Sequence, residues 1–349
     1  MHTSGKASQL FITLFLVATA PLLLLRYNDF SAVPIWSQVA ELLIFSVVLL
    51  LFFTPSYFLL KNTNEDIFLL AQRKTPIIAL FVSELYVGFF VFSAVKILKN
   101  YTDMMTTAIN PDANSYVVAL CLMAVCVYAA VKGMGAVTRS AVIIFAVIIV
   151  CLTAIFLGNI SKIELNNFNF GFNGIFGKKN IFFDLVPVLV SAPIFAVLCG
   201  NTKGSRGKAL IGFVTVTTLV TGLIVFFTTA VLGQFSSERG FSFFTLSKVS
   251  GAAEFSGFDS FYLIASVLSV IVLISLLLVS INKAVDNCGS IKNTLMFSVL
   301  VYVLFVCSEN FSFVTEILYD EYVFLIFSFI CGVAIPLGYF AKYGRSYRR

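Results

Sequence analysis

From Ala209 to Ser237 the sequence carries no charged side chain, and Ser260–Asn282 is a second such run. Uncharged apolar runs of this length fit a bilayer, where a spanning helix needs about 20 mostly apolar residues. Composition agrees. Of 349 residues, 59% are hydrophobic and 11% charged, against roughly 45–50% and 25% in soluble domains. Ten apolar spans are expected: Gln9–Leu25, Trp36–Leu60, Ile77–Leu98, Ser115–Val131, Ser140–Leu157, Ile181–Gly200, Ala209–Leu232, Ser260–Ile281, Thr294–Val306 and Tyr322–Ala341. Ala18-Thr19-Ala20 resembles a signal cleavage site, but Pro21 and Leu22–Leu25 continue the run, so the first span is read as retained. The expected fold class is an all-α polytopic membrane protein, with residues 1–349 forming one transmembrane domain.

Several chemistries are excluded. The single histidine, His2, lies ahead of the first span, which argues against a His-based triad, metal or haem site in the membrane body. No enzyme activity, metal or cofactor is expected. The seven cysteines are odd in number and mostly sit in apolar runs, where they read as small buried hydrophobes. The net charge of +6 points to anionic lipid as partner before nucleic acid. Gly200-Asn201-Thr202-Lys203-Gly204 is a basic turn and not a phosphate loop. With ten spans, one side carries 15 Lys and Arg and the other 8. The positive-inside rule then places both termini in the cytoplasm.

The candidate site rests on helix breaks. Span one contains Ala18-Thr19-Ala20-Pro21 and span six Val190-Ser191-Ala192-Pro193. A proline after small residues recurs at matching depth, five spans apart, in helices of opposite direction. This pattern predicts a 5+5 inverted repeat, about 9–158 and 181–341, with helices one and six broken around a ligand. Thr19, Ala20, Pro21, Ser191, Ala192 and Pro193 are therefore candidate ligand-binding residues. Ordinary proline kinks are the competing reading. Glu84 lies eight residues beyond Pro76, or ~12 Å along the helix, near mid-membrane, where an acid usually faces a cavity. Tyr262, Ser266, Ser269 and Ser280 share a face of span eight, and Ser266 and Ser269 complete the candidate set. Glu41 is a weaker candidate, nearer the outer edge of span two.

Several short segments, taken in order, resemble the endospore germination permeases, the B-subunit family of germinant receptors. They are Lys6–Phe11, Val127–Gly133 followed by Ala136–Arg139, Ile163–Phe168 and Phe258–Phe261. The resemblance implies a fold of the amino acid/polyamine/organocation superfamily. It also implies a small nutrient ligand, such as an amino acid, bound at helices one and six with helices three and eight nearby. A- and C-type receptor subunits are the implied partners, and the spore inner membrane is the implied location. Span one lacks the glycine-rich break of that family, and Val142 stands where an acid is expected. The runner-up is a proton- or sodium-coupled amino acid transporter, and a third reading is a membrane scaffold that only assembles partners.

Overall fold

The computed structural model describes residues 5–26, 33–61, 65–170, 181–233, 235, 240–250, 257–285 and 291–343. The sequence-predicted spans form helices α1 (Ala7–Leu23), α2 (Ile35–Leu60), α4 (Pro76–Met104), α5 (Ser115–Val131), α6 (Met134–Asn159), α7 (Ile181–Asp184) with α8 (Ser191–Leu198), α9 (Arg206–Leu232), α11 (Asp259–Val285), α12 (Ile291–Asn310), and α14 (Glu321–Phe329) with α15 (Ile335–Tyr343). Shorter helices α3 (Ile67–Lys74), α10 (Ser242–Val249) and α13 (Ser312–Tyr319) lie between them. Between Asn159 and Asn180 the chain is described only to residue 170, and there it contains two short 3-10 turns. Both terminal tails lie outside the described residues.

Among the described residues, eight stretches are long and apolar enough to cross a membrane. The others, α1 and α5, are apolar but 17 residues each, or ~25 Å at 1.5 Å per residue, somewhat short of a ~30 Å hydrocarbon core. Span nine, expected to be short, runs to 20 residues.

Burial separates the centre of the bundle from its rim. The apolar window of span six is 83% buried and that of span eight 78%, against 28% for α6 and α12. Accordingly α11 packs on α1, α4, α5 and α6. The rim helices turn Leu43, Val47 and Leu51, then Ile143 and Val150, then Leu295, Val299 and Val303 outward. Such apolar stripes would be a liability in water and are what lipid requires.

Local chemistry sets several ends. Asp66 accepts from Leu69 N at 2.9 Å and caps α3; Asn114 accepts from Tyr116 N at 2.9 Å and caps α5. The α5–α6 turn passes through Gly133 at φ 84°, a conformation that favours glycine.

The two expected breaks come out differently. Span six is broken: α7 stops at Asp184, residues Val186–Val190 form a 3-10 turn, and α8 begins at Ser191. Pro187 lies within the 3-10 turn and Pro193 in the first turn of α8. Each removes an N–H donor and crowds the carbonyl four residues earlier. Span one departs from expectation. Residues Ala18–Pro21 are helical, and α1 continues to Leu23. Pro21 falls in the last turn, so its ring ends the helix rather than dividing it. The Leu23 carbonyl accepts from the Tyr262 hydroxyl at 2.5 Å. Beyond the helices, Gly5–Lys6 and Thr202–Lys203 form a two-residue parallel ladder.

Candidate functional site

The broken span lies at the most crowded point of the bundle. Its 3-10 turn packs against α1 and α14, and α8 packs against α1, α2 and α11. Span ten is irregular at the same place, with Ile330–Ala334 in a π-helical turn. Such turns frequently mark functional positions. A Cβ placed on Gly332 within this turn would lie 3.5 Å from Ala192 Cβ, 3.5 Å from Phe52 and 3.7 Å from Pro193. Two irregular helices thus meet through small residues.

Eight of the nine sequence-predicted site residues are buried: Thr19, Ala20, Pro21, Ser191, Ala192, Pro193, Ser266 and Ser269. Their parent elements α1, α8 and α11 are in mutual contact. The four hydroxyls donate within their own helices. Thr19 bonds the Phe15 carbonyl at 2.7 Å and Ser191 that of Val188 at 2.7 Å. Ser266 bonds Leu263 at 3.0 Å and Ser269 bonds Ser266 at 2.9 Å. Each oxygen retains acceptor capacity, which suits a ligand N–H.

Glu84 is the exception. It lies on the exposed face of α4, and a Cβ on the neighbouring Gly88 would meet nothing within 4 Å. The interior position is taken by Tyr86, fully buried, whose hydroxyl donates to the Cys331 carbonyl in the π turn at 2.5 Å. Ser328, just before that turn, is fully buried, and its hydroxyl has no hydrogen-bond partner. Tyr86, Ser328 and Gly332 were not anticipated. Their signal was faint: a tyrosine two residues from the expected acid, and a glycine inside an apolar run.

A second polar cluster occupies the end of the bundle where α1 finishes. Lys96, Lys99 and Asp103 follow at i, i+3 and i+7 on α4, which aligns them on one face. Lys99 bonds Glu309 at 2.7 Å and Asp103 at 3.1 Å, and Arg26 reaches Asp103 at 3.1 Å. Tyr319 donates to Asp103, and the Arg26 guanidinium lies 4.7 Å from the Tyr319 ring centre. Burial pushes the Tyr319 phenol well above its ordinary value, against the opposing effect of Arg26, so it remains a donor at neutral pH. Lys96, 1% exposed, donates to Glu321 at 3.0 Å and to the Leu318 carbonyl at 2.9 Å. The sequence carried a usable signal here: Glu309–Glu321 holds four acids and no Lys or Arg, so its counter-charges had to come from elsewhere.

Among the described residues no three His, Cys, Asp or Glu gather to hold a metal ion. Solved structures share the fold at low identity. A Na+-coupled sialic acid symporter, in a substrate-bound outward-open state, matches with 14% identity and TM-score 0.55, over 95% of this chain and 77% of the other. Mhp1, a nucleobase-cation-symport-1 family transporter in a closed conformation with bromovinylhydantoin bound, matches with 13% identity and TM-score 0.64, over 99% and 80%. No curated protein matches the sequence. The expected transporter-like fold is thus present, and the family model described as Spore germination protein (Spore_permease) matches residues 6–314: the chain belongs to the spore germination permease family.

Proposed function

We propose that this permease-like protein is the membrane subunit of a spore germinant receptor. It binds a small nutrient of amino-acid type where spans one, six, eight and ten meet, and passes that event to A- and C-type partner subunits. The spore inner membrane is the corresponding location. The observation that carries the reading is the break in span six, faced by the π turn of span ten. Interrupted helices free backbone groups at membrane depth, which is tolerated against protein or a water-lined site. Half-helix termini favour the charged ends of a zwitterion. Ala192 and Gly332 keep side-chain bulk away from that backbone.

The test is binding of tritiated amino acids to detergent-purified protein. Ala192→Leu adds three carbons where the neighbouring Gly332 has room for few, and should weaken binding more than tenfold. Ala146→Leu, on the exposed face of α6, should leave it unchanged. A monodisperse, cooperatively melting Ala192→Leu protein with wild-type affinity would move the site elsewhere. A second reading, an amino acid transporter coupled to protons or sodium, is favoured by the cation coupling named for both structural neighbours. Uptake into proteoliposomes separates the two: a receptor subunit binds without accumulating ligand.

A further inference from the structure

A groove of about 300 Å³ runs between α4 and the last part of span ten, on the outside of the bundle. Ile78, Phe81 and Leu85 line one wall, and Ile335 and Gly338 the other. Gly338 makes the room, because a Cβ placed there would meet nothing within 4 Å. Hydrogen bonds hold both ends of the groove. At one end the Thr75 and Tyr339 hydroxyls are 2.7 Å apart; at the other Tyr86 donates to the Cys331 carbonyl at 2.5 Å. The groove is therefore formed before anything enters it, which lowers the cost of binding.

The groove is polar at one end only. Lys342, which is exposed, lines the mouth with Thr75 and Tyr339, the deeper walls are apolar, and none of the lining residues is acidic. Basic residues flank both walls at that end. Arg73, ion-paired to Glu65, and Lys74 precede α4. Lys342 is followed in sequence by Arg345, Arg348 and Arg349, with no acid among them. A cluster of Lys and Arg directly beyond a spanning helix favours anionic lipid. Length decides between occupants. From Thr75 to Leu85 the groove runs ~15 Å along α4 at 1.5 Å per residue, which is one leaflet of a ~30 Å hydrocarbon core. A partner's spanning helix would need a seam about twice as long. One acyl chain ending in an anionic headgroup matches both the length and the placement of charge.

We propose that this groove is a specific site for an anionic phospholipid, with one acyl chain lying along Gly338 and the phosphate at Lys342. It stands apart from the central junction and does not depend on what binds there.

Native mass spectrometry of the full-length protein, stripped of lipid in an uncharged detergent, tests this. Titrated with dioleoyl phosphatidylglycerol, the protein should bind a first lipid more tightly than later ones, and more tightly than it binds dioleoyl phosphatidylcholine. Gly338→Leu fills the groove from a helical position with open space before it, and should weaken that first binding at least about fivefold. Lys342→Gln should weaken phosphatidylglycerol binding about fivefold and leave phosphatidylcholine binding unchanged. Gly88→Leu is the control: its added Cβ also meets nothing within 4 Å, but it lies outside the groove, and it should change neither. All three variants should keep the wild-type unfolding midpoint in the absence of lipid. Wild-type affinity in a folded Gly338→Leu protein would overturn the proposal, as would equal binding of the two lipids or an equal loss in Gly88→Leu. Displacement of the lipid by inorganic phosphate would make this a free-anion site instead. A dimer mass that disappears in Gly338→Leu would assign the groove to a second copy of the chain.

Discussion

Lys96 and Glu321 show what a single buried charge contributes. Lys96→Met removes the ammonium that donates to Glu321 and to the Leu318 carbonyl and lies over the Phe324 ring. Removing one member of a buried pair costs about 3–5 kcal/mol, and the partial exposure of Glu321 places this case at the lower end. The unfolding midpoint in detergent should fall accordingly. Lys96→Met combined with Glu321→Met should recover most of the loss, because no unpaired charge then remains. A double variant as unstable as the single would show the lysine stem, not its charge, to matter. Glu84 and Tyr86 make the complementary point. Sequence fixes depth along a helix but not the direction a side chain faces, and two residues are about 200° apart at 3.6 residues per turn. Glu84→Gln should therefore leave amino acid binding by the purified chain unchanged. Tyr86→Phe should lower the unfolding midpoint, because the Cys331 carbonyl loses its donor at a cost of about 1–3 kcal/mol.

Spans one and six carry similar motifs yet behave differently, and the reason lies in position within the element. Pro21 has only Leu22 and Leu23 after it before α1 ends, so the bond it forgoes to the Val17 carbonyl leaves no further helical segment to be split off. The Tyr262 hydroxyl then satisfies the Leu23 carbonyl. In span six a second proline, Pro187, stands six residues before Pro193, and the backbone between them tightens to 3-10. The motif around Pro193 was legible in the sequence. The part played by Pro187 was not, because one proline in an apolar run does not reveal whether its neighbours can restore the helix. Pro187→Ala returns an N–H that can bond the Phe183 carbonyl. Amide hydrogen exchange across residues 183–190 should then slow relative to wild type. Unchanged exchange would assign the break to packing against α1 and α14 instead.

At the scale of the whole molecule, the apolar runs were legible because each spans the bilayer by itself: every one corresponds to a helix or helix pair. The ties between runs were not. Lys96 and Glu321 are 225 residues apart in sequence, and Lys283 bonds Asp66 at 2.9 Å across 217. Such pairs follow from which helices touch, and a span's own composition does not encode that. Both ends of the bundle are tied this way. Where α1 begins, Asp66–Lys283 and the Gly5–Lys6 ladder hold the elements together. Where α1 finishes, Arg26, Lys99, Asp103 and Glu309 do so. The two ends differ in charge: the basic surplus falls with Lys61, Arg73, Lys74, Lys132 and Arg206, and the acids of Glu309–Glu321 lie opposite. Cytoplasmic connections retain Lys and Arg, and the anionic inner leaflet attracts them. The end where α1 begins is therefore predicted to face the cytoplasm. In a background without native cysteines, Lys132→Cys, in the exposed α5–α6 turn, should react with a membrane-impermeant maleimide only after the membrane is opened. Asp112→Cys, exposed between α4 and α5, should react in intact cells. The reverse pattern would invert the molecule and place the acids of Glu309–Glu321 on the cytoplasmic side.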